Sequence, residues 1–422
     1  MVATRTGSKQ LLRDLNRSIV FNLLFSEGPI SRAELARKSN LTAPAITQII
    51  GDFVTSGLVI ERPADSVTVG RRPVMLEINV GAGYVVGVYA KVQDEALVIV
   101  VCNLNCDVVH STILHHDFPV NGEPHHVVQV IADGIKTCLA EARIPHERVL
   151  GVGVGLPGIM DKERGVCRNS PMFGWHNVEI APALEYKLRL PVHLDNDVNA
   201  LTLAKRHFGE GRGIPAFLLV GVGHGVGLGI VVGGEIYRGA SGGAGEFGHT
   251  RIDYAPDAPL CHCGKRGCLE AHIANYALVR EAQRLDPLRF SDGELTTVIA
   301  AAEAGNEAVR AIFARAGTML GNAVANLINI FDPALVIFSG EGLKAGEYLV
   351  SPTREAIQQG VFGDLRASIA ISEATEDLTW ARGAASVMLD ELFRPPLYAT
   401  DQPLPIDELL DIKQPPHRRR SG

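Results

Sequence analysis

Apolar residues recur at helical spacing at Leu11, Leu12, Leu15, Ile19, Val20, Leu23 and Leu24, which predicts an amphipathic helix from Leu11 to Phe25. Gly28-Pro29 stops it, because proline has no amide hydrogen to give a helix. Ser31-Arg-Ala-Glu34 reads as a capping box that opens a short second helix, with Leu35 and Ala36 turned inward. Thr42 opens a third. Pro44 is tolerated there because first-turn amides have no intrahelical partner. Ile46, Ile49, Ile50, Phe53 and Val54 form its apolar face, closed by Gly57. Leu58-Val-Ile60 and Val74-Met-Leu-Glu-Ile78 follow as the strands of a hairpin, with Gly70-Arg71-Arg72-Pro73 at its base.

A long helix, two helices across a tight turn and a hairpin predict a winged helix-turn-helix over residues 1–80. The inward apolar face leaves Thr42, Ala43, Thr47 and Gln48 outward at the start of the third helix. Small polar side chains at that position can approach base edges in a major groove. Arg71 and Arg72 on the wing are suited to a minor groove or to phosphate. Charge agrees with this. Residues 1–72 carry ten Lys/Arg against six Asp/Glu, while the whole chain is at −7, so a basic module precedes an acidic body. The same pattern also suits a small helical dimerisation module with a solvated basic loop.

From Tyr84 the texture becomes α/β. Val85 to Ala90 and Ala96 to Val101 are β-rich runs, His125 to Arg143 has a helical period, and Val149 to Gly158 reads as a strand entering a tight turn. Val192-His-Leu-Asp195-Asn196-Asp197-Val-Asn199-Ala200 is a strand running into a helix, with carboxylates and amides at the joint. Strands over 217–222, 228–232 and 334–338 then alternate with helices near 271–285, 294–304, 306–330 and 374–393. Ala216 to Gly234 carries no charged residue, but its seven glycines and His224 predict strand-turn-strand rather than a membrane span. No membrane segment is read. Polar Thr4 to Arg17 does not read as a secretory signal. After Phe393 the chain is proline-rich and ends His-Arg-Arg-Arg-Ser-Gly, the composition of a disordered tail.

A length of 422 residues with 46% hydrophobic and 21% charged content predicts a soluble globular protein of two or three domains. Of seven cysteines, Cys102, Cys106, Cys138 and Cys167 are scattered, which fits a reducing cytoplasm better than a disulfide framework. The other three are not scattered. Cys261, Cys263 and Cys268 stand in a C-x-C-x4-C spacing, and His249 precedes the first. Three thiolates and an imidazole suit a closed, tetrahedral, structural zinc site. Gly264 and Gly267 let the loop fold back so that Cys263 and Cys268 share one ion. Reduced structural cysteines beside a chance histidine are the alternative.

Gly245-Glu246-Phe-Gly-His249, followed by Cys261-His-Cys263-Gly-Lys-Arg-Gly-Cys268-Leu-Glu270, resembles the signature of the ROK family, which groups sugar-responsive repressors with sugar kinases. The resemblance implies that His249, Cys261, Cys263 and Cys268 bind zinc and that Glu246, His249 and Glu270 face sugar hydroxyls. It extends to Asn196 and Asp197, in the family's N-D-x-N. These are implied to bind sugar hydroxyls, the aspartate serving as general base in the kinases. The wing's Gly70-Arg71-Arg72-Pro73 and the helix-strand unit Asn326 to Gly340 resemble the family too. The implied fold is a winged helix-turn-helix over 1–80 and a two-lobed, actin-like (ribonuclease H-like) sugar-kinase fold. Its lobes cover 81–200 and 201–393, the closing helix returns to the first, and 394–422 is the tail.

Phosphate handling separates repressor from kinase. Family kinases carry D-x-G-x-T in the first strand pair. Here the segment is Tyr89-Ala-Lys91-Val-Gln93, with a lysine where backbone must approach ATP and no carboxylate to organise magnesium. The second loop, G-T-G-x-G-G-G in kinases, is Gly223-His224-Gly225-Val226-Gly227-Leu228-Gly229, without its threonine and one glycine. The expectation is a repressor of the N-acetylglucosamine and xylose repressor type, with no catalytic residues and Asp197 as a relic of the kinase base. It would act as a homodimer or homotetramer on palindromic operator DNA. A sugar or sugar phosphate would shift the lobes and hence the spacing of the recognition helices. The alternatives are a sugar kinase with an appended DNA-binding domain and a repressor released by a protein such as a sugar-transporter subunit.

Overall fold

The structure is a computed structural model that describes residues 9–63, 74–91, 96–115, 123–372 and 377–393. Arg71, Arg72, Gln93 and the tail 394–422 lie outside the described residues. Helix α1 (Lys9–Glu27) leads to strand β1 (Ile30–Ser31), then α2 (Arg32–Ser39), α3 (Ala43–Thr55), β2 (Val59–Pro63) and β3 (Val74–Ile78). Ser31 caps α2 by accepting the Glu34 amide at 3.3 Å, and Thr42 caps α3 by accepting the Ala45 amide at 3.4 Å. Strand β3 pairs antiparallel with both β1 and β2. This order of three helices and a small antiparallel sheet is compatible with a winged helix-turn-helix. Leu35, Ile46, Ile50 and Phe53 are fully buried between the helices. Val54, placed by the sequence on that apolar face, is 36% exposed. Eight residues after Ile46 the helix has rotated about 80° past it, beyond the arc its neighbours cover.

The first lobe contains β4 (Tyr84–Lys91), β5 (Ala96–Asn103), β6 (Val108–His115), α4 (Pro124–Ala142), β7 (Val149–Leu156), β8 (Ile159–Asp161), β9 (Val166–Ser170), β10 (Trp175–Glu179), α5 (Ala181–Leu188), β11 (Val192–Asn196) and α6 (Asp197–Phe208). Its main sheet has the order β11-β7-β4-β5-β6, with β11, β7 and β4 parallel. Strands β8 to β10 form a small antiparallel sheet.

The second lobe contains β12 (Phe217–Val222), β13 (Val226–Val232), β14 (Glu235–Ile236), α7 (Glu270–Ile273), α8 (Asn275–Leu285), α9 (Leu295–Glu303), α10 (Glu307–Phe331), β15 (Leu335–Ser339), α11 (Glu347–Gly360) and β16 (Ser368–Ile371), in a sheet of order β14-β13-β12-β15-β16. The helix expected over 271–285 is broken at Ala274, where the backbone is extended and the Asn275 amide turns to the Gly223 carbonyl at 2.8 Å.

Helix α12 (Asp377–Phe393) packs across β4 and β7 of the first lobe, beside α6. Two glycines permit this approach. A Cβ at Gly87 or Gly153 would lie 2.1 or 1.9 Å from the carbonyl oxygens of Ala381 and Ala384. The far end of α12 reaches α1. Phe393 packs on Phe25 and Phe21 with ring centroids 4.2 and 5.6 Å apart, and Asn22 donates to the Phe393 carbonyl at 2.9 Å. The end of α6 does likewise. Phe208 meets Phe25 edge-on at 5.7 Å, and Arg212, just beyond, donates to the Ser26 carbonyl at 2.8 Å. One buried apolar cluster therefore runs from the three N-terminal helices into β5 and α12. Among the described residues, no helix is long and apolar enough to cross a membrane.

Candidate functional site

A cleft of about 580 Å³ is lined by residues of both lobes, including the β11–α6 joint, the β12–β13 turn, the loop before the cysteines and the start of α12. Asn196 caps α6 by accepting the amides of Val198 and Asn199 at 2.9 and 3.2 Å, and donates to the Gly158 carbonyl at 3.0 Å. It thus fixes the joint and keeps one amide hydrogen for a ligand. Asp197 begins α6 in the cleft. Burial pushes its carboxyl up to about 6, the Glu246 charge adds to this, and the Val198 amide opposes it. Asp195 has another role. It is 2% exposed and holds Arg238 through two bonds of 3.0 and 2.6 Å, an internal ion pair.

Glu246 and His249 lie on the loop that follows β14, and Glu270 begins α7. Burial raises the Glu246 carboxyl above its ordinary range; the His249 charge opposes this and Glu270 adds to it. Glu270 is 7% exposed and accepts the Val226 amide at 3.2 Å and the Cys261 thiol at 3.4 Å. The ligand atoms of His249, Cys261, Cys263 and Cys268 all lie within 4.8 Å of one another. Metal bonds of about 2.3 Å to sulfur and 2.1 Å to nitrogen, at tetrahedral angles, put sulfurs about 3.8 Å apart and sulfur and nitrogen about 3.6 Å apart. Cys263 and Cys268 sulfurs are separated by 3.7 Å, and Cys261 Sγ lies 3.5 Å from His249 Nδ1. The donor set and its spacing fit one tetrahedral ion. The turn depends on Gly267, at φ +75°, where a Cβ would stand 1.8 Å from the Asp253 carbonyl oxygen. With Nδ1 among the thiols, His249 Nε2 is 3.8 Å from Glu246 Oε2, beside the cleft.

The other cleft wall is built from residues far apart in sequence. Lys91 pairs with Asp377 at 3.0 Å, and Tyr89 stacks on Trp380 at 5.5 Å. Glu341 enters after β15, 3.2 Å from His224 Nε2, and accepts from Asn275 at 2.9 Å. The sequence singles out Tyr89, Lys91 and His224 only as departures from the kinase phosphate loops, and Asp377, Trp380 and Glu341 not at all. A carboxylate between Gly340 and Gly342 at a strand end was the available signal for Glu341.

On α3, Thr42, Ala43, Thr47 and Gln48 are all exposed. The threonines are partly used locally, Thr42 as the cap and Thr47 donating to the Ala43 carbonyl at 2.9 Å. Gln48 carries both a donor and acceptors on the same face. Arg17 and Arg13 of α1 hold Asp52 of α3 at 2.7 and 3.4 Å, which steadies this helix.

Two lobes enclosing a carboxylate-rich cleft, with a module of three helices and a small antiparallel sheet packed on the helices that leave it, define a two-lobed α/β body joined to an N-terminal helical module. The chain belongs to the ROK family, whose signature matches residues 99–391. It is 30% identical over 366 residues to the xylose repressor of Caldicellulosiruptor bescii, covering 84% of this chain and 90% of that one. It is similar in fold to a ROK family transcriptional regulator described as a homologue of the Escherichia coli MLC protein, with a TM-score of 0.78 and 24% identity over 95% of this chain and 99% of that one. A ROK family glucokinase from Streptomyces griseus, solved with glucose and AMPPNP, has a TM-score of 0.61 and 27% identity, covering 72% of this chain and 99% of the kinase.

Proposed function

We propose that this chain is a sugar-responsive transcriptional repressor that binds operator DNA through α3 and the wing and binds a sugar through Asn196, Asp197, Glu246, His249 and Glu270. One observation carries the reading. Helix α6, of 12 residues, and helix α12, of 17, both start in the cleft and both end on α1. At 1.5 Å per residue they span about 18 and 26 Å, so a change in cleft shape has a rigid route to the recognition helix. Zinc at His249, Cys261, Cys263 and Cys268 is a structural ion in this reading. It ties the loop bearing Glu246 to the start of α7 bearing Glu270. Thr42, Ala43, Thr47 and Gln48 face a major groove, and Arg71 and Arg72 grip the backbone. Two or four copies would present paired recognition helices to a palindrome.

The likeness to a glucokinase favours a second reading, a sugar kinase with a DNA-binding domain. The two phosphate-handling stretches weigh against it: Lys91 stands where backbone must approach ATP and is held by Asp377 at 3.0 Å, and His224, 3.2 Å from Glu341, replaces the threonine of the second loop. Fluorescence anisotropy on DNA from upstream of the chain's own gene, with a panel of free sugars, and a coupled assay with ATP and hexoses test both. The repressor reading expects salt-dependent binding weakened by one sugar, and no turnover. Turnover with ATP contradicts it. Binding that ignores every sugar assigns release to a protein effector instead.

A further inference from the structure

The turn from β12 to β13 forms a floor without side chains at three alternate positions, Gly221, Gly223 and Gly225. Positions for a Cβ there would lie 3.6 Å from the Trp380 ring, 3.3 Å from Glu341 and 3.1 Å from Glu270, in that order. The cleft is therefore continuous from the carboxylate group around Glu270 to the aromatic wall at Trp380. A single sugar ring held at the first end leaves the second end open. A volume of about 580 Å³ lies well inside the range of pockets that engulf a larger ligand, about 300–1,000 Å³.

Charge selects among such ligands. Five carboxylates line the cleft (Asp197, Glu246, Glu270, Glu341 and Asp377) against two lysines, and no arginine among the described residues. Lys91 is already paired with Asp377. A phosphorylated sugar would bring a dianion into this field, whereas a neutral one brings only hydroxyls. Tyr89 and Trp380, stacked with 20° between their planes, offer an apolar body with polar edges. That suits the carbon-bound hydrogens of a second ring.

We propose that the effector is a neutral disaccharide, with one ring at Asp197, Glu246, His249 and Glu270 and the second against the Tyr89–Trp380 wall. The proposal rests on the cleft being a sugar site. Its test uses the full chain carrying W175F. Of the two tryptophans, Trp175 is 3% exposed and stacked on Phe173, so this substitution leaves Trp380 as the sole indole reporter. Xylose, xylobiose, glucose, cellobiose, maltose and glucose 6-phosphate are titrated by emission and by calorimetry. One disaccharide binds about tenfold more tightly than its monosaccharide, a difference of about 1.4 kcal/mol, and shifts Trp380 emission. Glucose 6-phosphate binds more weakly than glucose. In W380A the disaccharide falls to the monosaccharide's affinity, and the monosaccharide's changes by less than about twofold. Y89L serves the same purpose if W380A does not fold. Equal affinity for mono- and disaccharides, equal losses for both in W380A, or tightest binding by the phosphate each overturns the proposal and leaves the sugar site standing. No binding by any of the six overturns the proposal, and the anisotropy panel then decides separately whether the cleft is a sugar site.

Discussion

Replacing Phe393 by alanine cuts the seam at α1 between the cleft and the recognition helix α3, without removing a residue of the cleft or of α3. The ring is 6% exposed and packs on Phe25, Phe21 and His207 with centroids 4.2, 5.6 and 5.7 Å away. Truncating a buried phenylalanine costs about 3–5 kcal/mol. The Asn22 bond to the Phe393 carbonyl can persist, because its acceptor is backbone. Sugar and DNA sites are typically coupled by only about 1–3 kcal/mol, so the loss exceeds the coupling it interrupts. The cleft end of α12 is 16 residues away, about 24 Å along the helix. The expected result is a sugar Kd within about twofold of wild type, while the factor by which sugar weakens DNA binding falls toward one. Anisotropy on operator DNA, with and without saturating sugar, reads that factor, and hydrogen exchange of the α1 amides checks undocking. A full sugar response in F393A, with α1 exchanging faster, would refute transmission through this seam.

Asp197 offers a pH test. Its carboxyl is pushed up from an ordinary 3.8 to about 6, so its contribution is fully present below about pH 4 and is lost as pH rises through 6. Two units correspond to at most about 3 kcal/mol. D197N should therefore raise Tm above pH 6.5, give no gain near pH 4 and abolish sugar binding; scanning calorimetry across pH shows whether the gain follows that curve, and a gain independent of pH counts against it. C263S should reduce zinc, measured by elemental analysis, from about one per chain to near zero and remove the sugar response. Unchanged sugar affinity in the metal-free protein contradicts the coupling of the zinc loop to Glu246 and Glu270. Q48A should weaken operator binding by about 1–3 kcal/mol and leave non-specific DNA and sugar affinities alone; equal losses on both DNAs would mean that Gln48 reads no base.

Much of this architecture was legible where the physics is local. The caps at Ser31 and Thr42 depend on residues three apart, and all four residues of the candidate metal cluster fall between 249 and 268. Helix α11 was hidden by Pro352 in its second turn, a residue that reads as a breaker. Strands β8 to β10 are three to five residues long, too short to show a period. The second cleft wall was illegible for another reason. Lys91 and Asp377 are 286 positions apart, and nothing local pairs them; the same holds away from the cleft for Asn22 and Phe393, 371 apart. Glycines 87 and 153 carry no local sign of their role, which is to let α12 lie on the sheet.

The central claim is that cleft and recognition helix share one equilibrium, and the sugar's own affinity tests it most directly. Calorimetry would measure sugar binding to the free protein and to the protein saturated with operator DNA. Linkage requires that DNA weaken sugar binding by the same factor by which sugar weakens DNA binding. Matching factors of about 5 to 150 are the predicted result. A sugar that binds both forms equally, while still occupying the cleft, would contradict the account.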